Sequence, residues 1–174
     1  MKNNIILIGM RGSGKTVVSK ILSEKLELPL IDTDQFIVQQ DGMTIKEMTD
    51  KNGWDYFRDK ETSLLKSLQS RDKFILSTGG GIITRSENYE LLHELGVIYY
   101  LYASTDVLAA RIKEHSADRP KLTDSKTLLE DLERVFKQRK KLYDAAADHV
   151  IHTEKISPKE VADTILAYYL IANV

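Results

Sequence analysis

Short apolar runs, many of them β-branched, recur at Ile5 to Ile8, Leu30 to Ile31, Phe74 to Leu76, Val97 to Tyr102 and His149 to His152. Runs of this length and type predict strands. Helical periodicity fills the intervals. Val17, Val18, Ile21, Leu22 and Leu26 define one apolar face after the first run. From Ser125 to Ala147 the positions Leu128, Leu132, Val135, Phe136, Leu142, Tyr143 and Ala146 fall in a stripe about 120° wide. Thr44 with Glu47, and Ser157-Pro158 with Glu160, have the spacing of capping boxes and mark two further helix starts. Strands alternating with helices predict an α/β fold with a parallel sheet covered on both faces. Ligands bind such sheets beyond the carboxyl ends of the strands, which places Gly9 to Thr16, Asp32 to Asp34 and Thr78 to Gly81 along one edge.

Composition narrows the class. With 174 residues, no repeat and no Pro/Gly/Ser-rich linker, the chain reads as a single domain, residues 1–174. The 25 basic residues nearly balance the 26 acidic ones, which argues against a broad nucleic-acid or membrane surface and makes any anion site local. The absence of cysteine excludes disulfides and thiolate chemistry and fits a reducing compartment. The longest apolar stretch, Ile165 to Ala172, is far shorter than the roughly 20 residues that span a bilayer. Ile5 to Ile8 runs straight into glycines and a lysine, leaving no room for the apolar core of a signal peptide. The expected location is the cytoplasm, with neither nucleic acid nor membrane as partner.

Gly9-Met10-Arg11-Gly12-Ser13-Gly14-Lys15-Thr16 matches G-x-x-x-x-G-K-[ST], between a predicted strand and an amphipathic helix. In such a loop the glycines let successive N–H groups face phosphates, and the helix N-terminus adds a favourable dipole. Lys15 then reaches the β/γ-phosphates and Thr16 can ligate Mg²⁺. A kinase, a GTPase switch and an ATP-driven motor all carry this loop. The chain has no Asn-Lys-x-Asp sequence for guanine recognition, and its near-neutral surface does not suit nucleic-acid translocation.

Downstream residues carry the acceptor side. Asp32 and Asp34, one residue apart on an extended segment, are expected to face opposite sides: Asp32 toward Mg²⁺ through water, Asp34 toward an acceptor hydroxyl. The same pair also reads as an ordinary turn-former. Gly79-Gly80-Gly81 either brings a substrate against main-chain N–H groups or is a plain flexible connection. Arg139 projects near the middle of the apolar stripe, where a guanidinium requires an anion such as a substrate carboxylate, an internal acid, or a route outward by snorkelling. Arg58, taken alone, reads more as a surface residue at the start of a helix than as a site residue. Arg119-Pro120 sits in the polar segment Lys113 to Lys126, either a solvated loop or a flap that closes an arginine over phosphate. His149 and His152 face opposite sides of a predicted strand and do not make a metal site. Trp54 is expected to pack near the acceptor region, and Arg11 receives no role.

Together these motifs make the chain resemble the shikimate kinase family over nearly its whole length: Gly9 to Thr16, Asp32-Thr33-Asp34, Phe57-Arg58 with Glu61, Gly79-Gly80-Gly81, Arg119-Pro120, and Arg139 followed by Leu142-Tyr143. The resemblance implies a three-layer P-loop kinase fold with a five-stranded parallel sheet in the order 2-3-1-4-5 and helices on both faces. A lid at about 113–124 and a shikimate-binding helical region at about 33–61 are implied as well. So is ATP- and Mg²⁺-dependent phosphorylation of the shikimate 3-hydroxyl in aromatic amino-acid biosynthesis, by a monomer. Residue by residue it implies ATP contacts from Gly12, Ser13, Gly14, Lys15, Thr16, Val17, Arg111 and Arg119, with Lys15 and Arg119 on the transferring phosphoryl group. It implies shikimate contacts from Asp34, Arg58, Gly79, Gly80, Gly81 and Arg139, with Asp34 mainly a positioner. Thr16 would ligate Mg²⁺ directly, and Asp32 and Ser77 through water. A gluconate or nucleoside monophosphate kinase is the nearest alternative.

Overall fold

Five parallel strands build one sheet in a computed structural model that describes residues 3–115, 125 and 127–172. In chain order the elements are β1 (Ile5–Ile8), α1 (Lys15–Leu26), β2 (Leu30–Asp32), α2 (Thr33–Asp41), α3 (Ile45–Ser67), β3 (Ile75–Ser77), α4 (Ser86–Leu95), β4 (Val97–Tyr102), α5 (Thr105–His115), α6 (Leu128–Ala146), β5 (His149–His152) and α7 (Pro158–Ala172). The strand order is β2-β3-β1-β4-β5, as the resemblance implies. The strand β1 pairs with β3 on one side and β4 on the other, so the connections diverge there and open a crevice at its carboxyl end.

Strand alternation divides the core. Ile5 and Leu7 face α1 and α7 through Val18, Leu22, Val161 and Ile165. Ile6 and Ile8 face the opposite layer, where Leu64, Leu65, Leu92, Leu108, Leu132 and Val135 gather. A strand covered on both faces has no polar side, and all four residues of β1 are fully buried.

Both capping boxes anticipated from the sequence form. Glu47 N–H bonds the Thr44 hydroxyl while the Glu47 carboxylate accepts from Thr44 N–H, and Ser157 with Glu160 repeats the exchange. A third, Thr127 with Glu130, opens α6. Some details differ from the sequence reading. The extended segment stops at Asp32, which caps α2 by accepting from Gln35 N–H, so Thr33 and Asp34 lie in the first helical turn. Capping by Asp competes well with strand continuation at a sheet edge. Val17 and Leu142 are exposed at 51% and 41%, outside the buried faces to which periodicity assigned them. The helix α3 breaks at Gly53, whose φ of 80° and ψ of 169° only glycine adopts readily.

Candidate active site

The segment between β1 and α1 wraps a helix N-terminus that no side chain caps. Among the described residues, each of the six other α-helices carries an acid in its first turn, and α1 carries none. The positive end of its dipole is thus left for an external anion. Gly12 and Gly14 hold φ of 83° and 98°, the left-handed region that turns loop N–H groups inward. Lys15 Nζ lies folded against the loop, donating to the carbonyls of Gly9 at 2.8 Å and Met10 at 3.0 Å.

This loop forms the floor of a cavity of about 710 Å³ that also exposes Thr16 and Val17. Its far wall is Arg111, Ile112, Thr153, Ile156 and Pro158. Arg111 is tied there by donating to the Thr153 hydroxyl at 3.0 Å and the Thr153 carbonyl at 2.5 Å. Thr153, Ile156 and Pro158 were missed by sequence reasoning, because only the sheet brings the loop after β5 beside the one after β1. Asp32 reaches the same cavity. Its second carboxylate oxygen accepts from Ser77 Oγ at 3.2 Å, a contact set by the register that pairs Asp32 with Ser77.

A second cavity, of about 310 Å³, opens between α2, α3, α6 and the loop after β3. Arg58 and Arg139, far apart in sequence, both line it, with Trp54, Phe57 and Glu61 beside Arg58. The Arg58 guanidinium pairs with Glu61 and lies 5.2 Å from the Trp54 ring centre and 5.4 Å from that of Phe57. Trp54 packs edge-on to Phe57. Glu61 is completely buried, and this burial pushes its carboxyl up to about 7, opposed by Arg58 and reinforced by nearby Asp34. Its sequence signal was the i, i+3 spacing from Arg58, which does not reveal depth.

The glycine loop is shaped by what it must let through. A Cβ on Gly79 would stand 2.4 Å from Asp34 Oδ1, and one on Gly81 2.1 Å from Arg58 Nη2. These glycines admit the two charged side chains, so neither is a mere flexible connection. Gly79 N–H is itself engaged, donating to Thr33 Oγ1 at 2.8 Å. The Gly80 carbonyl accepts from Arg139 Nη1 at 3.0 Å and from the Tyr143 hydroxyl.

The two cavities share Arg11, Asp34, Gly79 and Gly80. Arg11, to which the sequence reading gave no role, therefore stands at the junction. Arg119 and most of the expected lid, residues 116–124, lie outside the described residues. Residues 113–115 close α5.

Among known proteins, the sequence profile of shikimate kinase matches residues 11–169. The chain is 36% identical to a shikimate kinase of Caldicellulosiruptor bescii over 167 residues, covering 96% of this chain and 95% of that one. It is 37% identical to shikimate kinase 2 of Photorhabdus laumondii, covering 92% of each. The structure superposes with a TM-score of 0.90 on the shikimate kinase from Acinetobacter baumannii in complex with shikimate, at 34% identity over 98% of this chain and 94% of that one. A gluconokinase from Sinorhizobium meliloti superposes at 0.60 with 17% identity, over 97% and 92% of the chains, a likeness of fold alone. The profile match over most of the chain and the identities above 30% at nearly full coverage of both chains show the family: the chain belongs to the shikimate kinase family, kinases that transfer phosphate to a hydroxyl of shikimate.

Proposed function

We propose that the larger cavity holds ATP and the smaller one shikimate, and that the γ-phosphoryl group passes to the shikimate 3-hydroxyl where the cavities meet. The shared wall of Arg11, Asp34, Gly79 and Gly80 carries this reading. Gly12, Ser13, Gly14 and the first turn of α1 offer N–H groups to the phosphates, and Lys15 leaves its loop carbonyls for the phosphate oxygens. Val17 and the tethered Arg111 flank the nucleotide. Arg58 and Arg139 hold the shikimate carboxylate by charge-assisted hydrogen bonds, and Gly79, Gly80 and Gly81 keep the ring close. Asp34 orients the attacking hydroxyl. Phosphoryl transfer is usually loose, so positioning and neutralisation outweigh proton abstraction there. Arg119 would join Lys15 on the transferring group as the lid closes.

Exposed Thr16 and the Asp32 carboxylate are hard oxygen donors at the phosphate end, the set a Mg²⁺ bound partly through phosphates and water would use, and Ser77 borders it. These residues would hold a Mg²⁺ that would supply neutralisation of the phosphate charge. Among the described residues no three His, Cys, Asp or Glu cluster, which suits a metal that arrives with the nucleotide. No helix among them is long and apolar enough to cross a membrane. The residues assigned to both cavities all come from this chain, and the cysteine-free composition suits the cytoplasm.

A coupled ADP-release assay with ATP, Mg²⁺ and shikimate, followed by mass and NMR analysis of the product, tests this directly. Shikimate 3-phosphate is expected, with no comparable turnover of gluconate or AMP. Equal ADP release without shikimate would remove the assignment.

A further inference from the structure

Tyr143 lies one turn beyond Arg139 on α6, and both side chains donate to a single acceptor, the carbonyl of Gly80. Two donors occupy both lone pairs of that oxygen, which leaves the peptide little freedom to rotate. The phenol is held in turn. Its ring is fully buried and stacks on Tyr100 of β4, with centres 4.9 Å apart and planes 16° from parallel. Tyr100 pairs with Ile8, the last residue before the phosphate loop. Gly80 is closely surrounded: a Cβ there would sit 3.3 Å from the Gly9 carbonyl, 3.5 Å from the Tyr143 hydroxyl and 3.6 Å from Arg11 N. Burial pushes the phenol up to about 12, so the hydroxyl is a donor at every working pH.

We propose that the Tyr143 hydroxyl is a positioning group for the acceptor: it pins the Gly80 carbonyl against α6 and thereby sets the angle at which the Arg139 fork meets the acceptor carboxylate. One donor of Arg139 is spent on Gly80 and the others remain for the ligand. A bidentate contact is sensitive to the angle of its fork, and the peptide that fixes that angle also borders the nucleotide cavity. The role is separate from any contact with substrate, since Tyr143 is not among the residues lining either cavity. It rests on the reading of the smaller cavity as the shikimate site.

The test is Tyr143→Phe in the full chain. The variant keeps the stacked ring, and Gly80 O keeps Arg139 as a partner, so no buried acceptor is orphaned. Calorimetry with shikimate and with ATP, together with steady-state kinetics, should show shikimate Kd and KM raised about tenfold, the effect of one lost hydrogen bond near ~1.4 kcal/mol. ATP affinity and kcat at saturating shikimate should stay within about twofold. The double variant with Arg139→Lys should lose less shikimate affinity than the product of the single losses, because both act through one carbonyl. A shikimate Kd unchanged in Tyr143→Phe overturns the proposal whatever happens to Tm, as do equal losses for both ligands or strictly additive effects in the double variant. If wild-type protein binds no shikimate, the acceptor assignment itself fails, and that result is told apart by the wild-type titration alone.

Discussion

On the side proposed for the nucleotide, eight consecutive residues form the loop, and most of what they offer is backbone. Glycines at φ of 83° and 98° and the uncapped start of α1 create a positive cradle from N–H dipoles that do not titrate. The acceptor side gathers Asp34 from α2, Arg58 and Glu61 from α3 and Arg139 from α6 around a glycine loop. Its polarity comes from side-chain charges, one of them a carboxylate with no exposure at all. Even the glycines differ in purpose: Gly14 stands in open space and is needed for conformation alone, Gly9 and Gly12 for conformation and for close neighbours, whereas Gly79 and Gly81 are needed for the space that Asp34 and Arg58 fill. Damage to a backbone cradle should therefore show in nucleotide binding and catalysis without pH dependence, while damage to a charge network should show in acceptor binding and in a stability that changes with pH.

The largest effect is expected at Lys15, whose ammonium folds against the loop carbonyls. Lys15→Ala removes a cation proposed for the transferred group and also removes a buried amine from loop carbonyls that can turn to other donors. A loss of about 10³-fold in kcat is expected, with shikimate affinity unchanged and the urea midpoint close to wild type. A wild-type turnover number would reassign Lys15 to loop structure.

Arg58→Ala should strike both binding and stability, and pH distinguishes it from the cradle. In the wild type Glu61 is raised from 4.5 to about 7, so the folded protein holds its proton more tightly than the unfolded chain does. That contribution is complete below about pH 4.5 and is lost as pH rises through about 7. Removing Arg58 deletes the main opposing cause and extends the loss to higher pH. The variant should lie roughly 3 kcal/mol below wild type at pH 8, where an unpaired carboxylate must be buried or protonated, and much closer at pH 5. Shikimate KM should rise about 100-fold at pH 8, two charge-assisted hydrogen bonds being lost. Urea titrations of both proteins at the two pH values check the sign: a gap that widens toward pH 5 contradicts the burial of Glu61.

The same contrast decides what was legible in the sequence. The phosphate loop is contiguous, its residue types each answer a local need, and strand and helix flank it where periodicity places them. The strand ends align Asp32 with Ser77 and bring the glycine loop alongside, and sheet logic alone predicts that edge. The acceptor network was legible only as residue types. Arg139 announced itself as a charge in an apolar stripe, but the spacing could not say that its partner is a backbone carbonyl shared with Tyr143. Glu61 entered only as part of the motif with Phe57 and Arg58, and nothing in that spacing shows that it is fully buried. Arg11 stands in a variable position of its motif, and nothing local shows that two cavities meet beside it. Thr153, Ile156 and Pro158 became visible only when β5 closed the sheet edge. The break of α3 did have a signal, since a glycine interrupts the helical pattern immediately before Trp54.

The smallest effects come from a pair of alanine substitutions, and they separate space from conformation. Gly81 has φ of −102°, which alanine accepts, but its Cβ would collide with the end of the Arg58 side chain. That end is mobile, so Gly81→Ala should displace the guanidinium, raise shikimate KM about tenfold and leave ATP affinity nearly unchanged. Gly14 has open space around its Cβ and φ of 98°, so Gly14→Ala meets no neighbour and only backbone strain, about 1 to 2 kcal/mol. Its expected outcome is the reverse: a lower urea midpoint and weaker ATP binding, with shikimate affinity preserved. Matching losses in the two variants would mean that the glycines of both loops serve one purpose, and the division between a backbone cradle and a charge network would not hold.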